Sequence, residues 1–240
     1  MKNHDKKMKK LFKKIVYRII PPIYVPPSYS QAGEDAILQF LFKDFGLTGI
    51  KYLDLGTNSP DSSNNTYLFY KNGSRGVCVE ADIAFIKKIR KVRPADIIIH
   101  AGVSVSKEKE ADFYIFNEPA INTFDKKEAD YRVSFGNFEI LKVVKVPLIN
   151  INDLIINNFD TYPELLSIDI EGLDLAVLKS LDFTKYPIPV ICAETCTYSE
   201  NHIRPKDLSI AEFMASNGYE VYADTYINTI FVNKKWFYNK

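Results

Sequence analysis

The sequence predicts an α/β domain built on a doubly wound, mostly parallel sheet with helices on both faces. Three observations predict it. Short apolar runs alternate with stretches of helical periodicity, the last two runs are joined too closely for a helical crossover, and acidic residues recur where the runs end. The 240 residues, 46% hydrophobic and 25% charged, suffice for one such domain with a substantial core. That composition excludes a disordered chain, a collagen-like fibre and a disulfide-stapled miniprotein.

The chain opens outside the alternation. Eight basic side chains against Asp5 alone give residues 1–20 a formal +7, so the rest of a chain of net charge +1 holds about −6. Met8, Leu11, Phe12, Ile15, Val16, Ile19 and Ile20 recur at helical spacing between lysines, and Pro21 and Pro22 end the pattern. Residues 1–27 therefore read as a basic amphipathic arm with a Pro-rich connector, and 28–240 as the domain. The arm has two readings: peripheral contact of residues 6–20 with an anionic membrane surface, or packing on the domain or on another protein. No apolar stretch is long enough to span a bilayer, no cleavage site follows the basic start, and Cys78, Cys192 and Cys196 follow neither disulfide nor zinc spacing. The expectation is a cytoplasmic protein, peripheral at the inner membrane face if the arm binds lipid.

Within the domain, a helix over 35–45 leads to a strand at 51–55, then a helix at 65–72, a strand at 76–80, a helix at 83–92 and a strand at 96–101. Residues 110–147 break the rhythm. Segments 111–116 and 143–147 look like extra strands around a polar stretch, an insertion expected over the mouth of an α/β site. A strand at 165–170, a helix at 173–181 and a strand at 190–194 resume the pattern. A helix at 210–217 precedes strands at 220–223 and 227–232, whose short connection makes them antiparallel neighbours.

Ligands of such sheets bind at the carboxyl ends of the parallel strands. Those ends carry Asp54, Glu80, Asp169, Glu171 and Glu194. A single strand-end carboxylate is ordinarily a helix cap or an ion-pair partner, but repetition on four strands marks a crevice. The turn from Asp54 to Pro60 holds one glycine, not G-x-G-x-x-G, and the chain has no P-loop, so the ligand is a nucleoside without phosphates. Glu80, 26 residues after Asp54, is placed to accept ribose hydroxyls. S-adenosylmethionine fits, having a ribose, no phosphate and a sulfonium cation. Nucleic acid is not an expected partner, because the basic residues cluster away from the crevice.

Several segments together resemble the FkbM-type S-adenosylmethionine-dependent methyltransferases. They are Ser30-Gln31-Ala32-Gly33-Glu34-Asp35, Tyr52-Leu53-Asp54-Leu55-Gly56-Thr57-Asn58, Asn65-Thr66-Tyr67 with Gly76-Val77-Cys78-Val79-Glu80, Ser167-Ile168-Asp169-Ile170-Glu171-Gly172 and Gly218-Tyr219-Glu220-Val221-Tyr222. The resemblance implies a class I methyltransferase fold with a seven-stranded sheet, and O-methylation of sugars or other natural products. It assigns Asp54, Gly56 and Asn58 to the first cofactor motif and Glu80 to the ribose. Gln31 and Glu34 are assigned to the methionine end of the cofactor, and Asp169 and Glu171 to the transferring methyl. Pro60, where a further glycine is common, and Asp174, where a glutamate is usual, depart from the pattern.

Methylating a hydroxyl calls for a general base, and the candidates are Asp169, Glu171, Glu194 and His202. As an alternative, Asp169 and Glu194 share a divalent cation, Mg²⁺ or Mn²⁺, that acidifies the hydroxyl. Tyr114, Phe116 or Tyr131 of the insertion would stack on a sugar ring. The expected function is O-methylation of a saccharide, on a lipid-linked or surface glycan if the arm is a membrane device. The alternatives are a soluble natural product or lipid as acceptor, or a non-catalytic domain that binds the cofactor or a protein partner.

Overall fold

The computed structural model describes residues 27–196 and 206–239. The predicted arm helix and His202 lie outside those residues. The chain forms α1 (Glu34–Asp44), β1 (Lys51–Leu55), α2 (Tyr67–Lys71), β2 (Arg75–Glu80), α3 (Ile83–Val92), β3 (Ile97–His100), β4 (Gly102–Ser104) and β5 (Glu110–Phe116). It continues with α4 (Lys126–Ser134), β6 (Ile140–Asn150), α5 (Ile151–Asn158), β7 (Leu165–Ile168), α6 (Asp174–Ser180) and β8 (Val190–Glu194). The last elements are α7 (Leu208–Ser216), β9 (Tyr219–Asp224), β10 (Asn228–Asn233) and α8 (Lys234–Tyr238).

Seven strands form the main sheet in the order β3-β2-β1-β7-β8-β10-β9. The first five run parallel, and β10 lies antiparallel between β8 and β9. This is the expected class I methyltransferase arrangement, with the C-terminal hairpin closing one edge. The chain leaves β1 for β2 on one side and returns to β7 on the other, so the switch point lies at the ends of β1 and β7.

Both faces of the central strands are buried, as the near-continuous apolar runs require. Leu53 and Leu55 pack with Leu166, Ile168, Leu154, Val177 and Met214 on one face. Tyr52 packs with Leu165, Cys192, Leu38, Phe42 and Phe69 on the other. The insertion builds a second sheet, β4-β6-β5. Strand β6 runs past Pro147, where the sequence pattern stops, because its last residues pair in parallel with β4. Helices α4, α5 and α8 were not predicted: in α4 only Ala129 and Arg132 turn inward, which leaves no apolar stripe to detect.

Candidate active site

The segment before α1 is folded by its own side chains. Asp35 accepts hydrogen bonds from Ser28 Oγ (2.7 Å), Tyr29 N (2.7 Å) and Ser30 Oγ (2.9 Å), and this bent segment presents Gln31 to the strand ends. Past β1, Gly56 and Thr57 donate their N–H groups to Val79 O, which lays the turn against the end of β2. Asn58 takes a left-handed conformation (φ 48°), tolerable for Asn, and donates its N–H to Glu80 Oε2 at 2.8 Å. Asp82 N donates to the other oxygen at 2.7 Å.

Burial pushes the Glu80 carboxyl up to about 7, against the pull of the Asp82 and Asn58 N–H groups. Each carboxylate oxygen can accept more than one hydrogen bond, so Glu80 keeps capacity for a diol. The cavity it borders measures about 260 Å³. Val79, Phe85, Val103, Phe113 and Phe124 supply apolar wall, while Asn58, Glu80, Asp169 and Glu171 supply polar rim. None of the described residues lining it is Lys, Arg or His. Such a cleft suits a flat heterocycle with ribose and a positive charge, and among its described lining residues it offers phosphate no cationic side chain.

A second cavity of about 240 Å³ meets the first at Gln31, Asp169 and Glu171, and adds Glu194, Asp174, Asp207 and Arg132. Carboxylate oxygens of Asp169, Glu171 and Glu194 lie within 4.8 Å of one another. Burial raises all three, Glu171 to about 7 even with Arg132 beside it; the Asp169 carboxylate pushes Glu194 further, up to about 11, whereas Glu171 raises Asp169 and a hydrogen bond with Glu194 tempers that rise. Close like charges cannot both ionise cheaply, so the neighbouring carboxylate adds to burial in favouring the protonated form of Glu194. Glu171 sits in the left-handed region (φ 54°), strain of the kind that gathers at functional sites. Asp174 accepts from the N–H groups of Ile170 (3.2 Å) and Gly172 (3.3 Å), so this departure from the family pattern closes the turn that carries Glu171.

Of the predicted site residues, Gln31, Gly56, Asn58, Glu80, Asp169 and Glu171 line the first cavity, and Glu194 the second. Two others, Asp54 and Glu34, stand apart from both cavities. Asp54 faces neither cavity, because alternation along β1 puts it on the Tyr52 face, where Thr66 Oγ1 (2.6 Å), Asn64 Nδ2 (3.3 Å) and Arg93 (3.3 Å) engage its carboxylate. Glu34 is also turned away. It accepts from Thr225 Oγ1 (2.6 Å), Asn228 Nδ2 (3.0 Å) and Ala32 N (2.8 Å), which together hold its carboxyl below the usual range although burial alone would raise it. Of the expected sugar-stacking residues, Phe116 is buried in the insertion's own core with Tyr114 packed against it, and Tyr131 pairs with Phe135, whereas Phe113 and Phe124 line the first cavity.

Arg93 and Arg132 were missed. Each meets its carboxylate 39 residues away, Asp54 and Glu171 respectively, beyond any local spacing rule. The available signal was the buried carboxylate itself, which demands a cation.

The cleft lies at the switch point of a seven-stranded sheet with the strand order expected of the class I methyltransferases. The methyltransferase FkbM domain matches residues 54–221, and the chain belongs to that family. Among the curated proteins, none matches. Among solved structures the chain is similar to a TehB-like SAM-dependent methyltransferase from Corynebacterium glutamicum, at 10% identity and TM-score 0.42, covering 98% of this chain and 100% of that one. It is similar to a methyltransferase FkbM from Methylobacillus flagellatus at 13% identity and TM-score 0.44, covering 77% and 43%. An O-methyltransferase from Bacillus cereus in complex with SAH matches at 12% identity and TM-score 0.40, covering 94% and 89%.

Proposed function

We propose that this methyltransferase methylates a hydroxyl of a saccharide, with S-adenosylmethionine as donor. The observation that carries the reading is the junction of two cavities at Gln31, Asp169 and Glu171, the first suited to a nucleoside and the second rich in carboxylates. Carboxylates are hydrogen-bond acceptors, and a polyhydroxylated ligand brings many donors. S-adenosylmethionine, when bound, supplies an electrophilic methyl group. Glu80 accepts hydrogen bonds from the ribose, and the acidic rim at Asp169 and Glu171 complements the positive charge. The Asp169–Glu194 pair, holding one proton between two carboxylates, keeps one carboxylate to take the proton of the acceptor hydroxyl. Phe113, Pro119, Asn122, Thr123 and Phe124 of the insertion form one wall of the cleft.

The three-carboxylate cluster also supports a second reading, in which Asp169 and Glu194 hold Mg²⁺ or Mn²⁺. No helix of the described residues is long and apolar enough to cross a membrane. Presentation of the acceptor on a lipid, with the protein peripheral at an inner membrane face, rests on the basic residues of the arm alone. Deleting residues 1–27 and following flotation with anionic liposomes tests that clause, since unchanged flotation removes it.

The function itself is tested by calorimetric titration with S-adenosylmethionine, followed by transfer of labelled methyl to free and lipid-linked saccharides. Binding and saccharide labelling are expected. Absence of binding overturns the donor, and labelling confined to non-saccharide hydroxyls overturns the acceptor.

A further inference from the structure

The insertion crosses the cleft at one short segment. Asn122 donates through Nδ2 to Asp82 Oδ2 (3.2 Å), just past the end of β2. Its neighbour Ile121 gives its carbonyl oxygen to Arg132 Nη1, while Arg132 Nη2 reaches Glu171 Oε2 at 3.0 Å, just past the end of β7. Strand β1 lies between β2 and β7 in the sheet. Residues 121 and 122 are therefore fastened on both sides of the turn that follows β1, and Pro119, Asn122, Thr123 and Phe124 line the first cavity from that side.

The guanidinium is the joint on the β7 side. It is 2% exposed, and its third partner, Glu128 Oε1 at 2.9 Å, stands one turn earlier on the same helix. Glu128 and Ile121 belong to the insertion, so Glu171 is the one partner among these three that belongs to the main domain. A buried bidentate-capable cation of this kind fixes geometry more firmly than a flexible ammonium would.

We infer that Arg132 is a positioning residue for the methyl donor: through Glu171 it pins the segment 119–124 across the donor cleft and fixes the wall against which the donor lies. The inference rests on the reading of this cavity as the donor cleft. It gives the insertion a defined task, retention of the donor, and it separates the task of Glu171 from that of the Asp169–Glu194 pair.

The test uses the full-length protein and S-adenosylhomocysteine as probe, with affinity from calorimetry and dissociation rate from stopped flow. Arg132→Gln and Glu171→Gln are each expected to weaken binding by about tenfold, mainly through faster dissociation. The double variant is expected to lose no more than either single one, because both cut the same link. Arg132→Lys, which keeps the charge but cannot bridge Ile121, Glu128 and Glu171 together, is expected to recover only part of the affinity. Hydrogen exchange should rise in residues 119–134 of Arg132→Gln and stay unchanged in the main sheet. Binding within about twofold of wild type in both single variants, or additive losses in the double, overturns the inference. If Arg132→Gln does not fold, hydrogen exchange in residues 119–134 of Glu171→Gln decides: it rises if the link to Arg132 holds that segment, and unchanged exchange overturns the inference even where binding weakens, since Glu171 itself lines the cavity. Failure of the wild type to bind the probe overturns the donor reading itself, and the inference with it.

Discussion

A Cβ on Gly56 would stand 1.9 Å from the carbonyl oxygen of Asp169. The turns that end β1 and β7 thus touch backbone to backbone beneath the cleft, and Gly56 also has a left-handed φ of +79°. Gly56→Ala is expected to cost about 2–5 kcal/mol, combining conformational strain with forced separation of the turns, and to abolish binding of S-adenosylhomocysteine. Gly33, at φ +93° with open space around it, is the control, and Gly33→Ala should cost only about 1 kcal/mol. Urea unfolding compares the two; equal losses would mean that the contact with Asp169 does not dictate the glycine.

Arg93 is fully buried and bonds Asp54 (3.3 Å), Asp96 (2.8 Å), Thr66 (2.8 Å) and Asn64 (3.2 Å), while Tyr52 OH completes Asp96 at 2.7 Å. Arg93→Met would strand two carboxylates inside the protein and should destabilise it by about 3–5 kcal/mol. Tyr52→Phe, which removes one hydrogen bond to Asp96, should cost about 1–3 kcal/mol. The measurement is equilibrium unfolding in urea, and near-neutral behaviour of Arg93→Met would show that the network is not what holds β1 to α3.

Stability and donor affinity should respond to pH in opposite directions. Glu80 rises on folding from an ordinary value of 4.5 to about 7, Glu171 to about 7 and Asp174 to about 6, in every case chiefly through burial. A carboxyl whose folded value is raised favours the folded state at low pH and loses that contribution as pH climbs through the folded value. The thermal midpoint of the ligand-free protein should therefore fall between about pH 4 and about 7 and level off above that. Ribose hydroxyls donate to the ionised form of Glu80, so affinity for S-adenosylhomocysteine should rise over the same interval and become flat in Glu80→Gln. Parallel slopes for stability and affinity would remove Glu80 from the donor site.

Asp169→Asn and Glu194→Gln should lower kcat by about a hundredfold or more if the pair takes the acceptor proton, with donor affinity changed by less than about threefold. Equal losses in both would reassign the pair to donor binding. Activity is expected to survive EDTA; loss in chelator, with recovery on adding Mg²⁺ or Mn²⁺, would establish the cation reading instead.

The sheet could be read from the chain because β1, β7 and β8 are buried on both faces, which leaves unbroken apolar runs bounded by polar turns. Glu80, Asp169 and Glu194 could be placed because topology brings strand ends together wherever their side chains point. Asp54 and Glu34 could not: each is also near a strand or helix end, but hydrogen bonds to Thr66 and Arg93, and to Thr225 and Asn228, decide its direction. Helix α4 was invisible for a related reason. Its inward residue of consequence is an arginine, which no hydrophobic periodicity can reveal.

The Asp35-bound bend that presents Gln31 has a further effect. Gln31 stands at the junction of the two cavities, and Pro27, where the arm joins the domain, lies only four residues earlier, within about 14 Å along the chain. Were the arm to dock on a surface, a connector that leaves the domain this close to the cavities would hold that surface near their rim. An acceptor carried on that surface would be found by a search in two dimensions, and shortening or lengthening the connector would tune turnover on surface-borne acceptors while leaving soluble ones untouched.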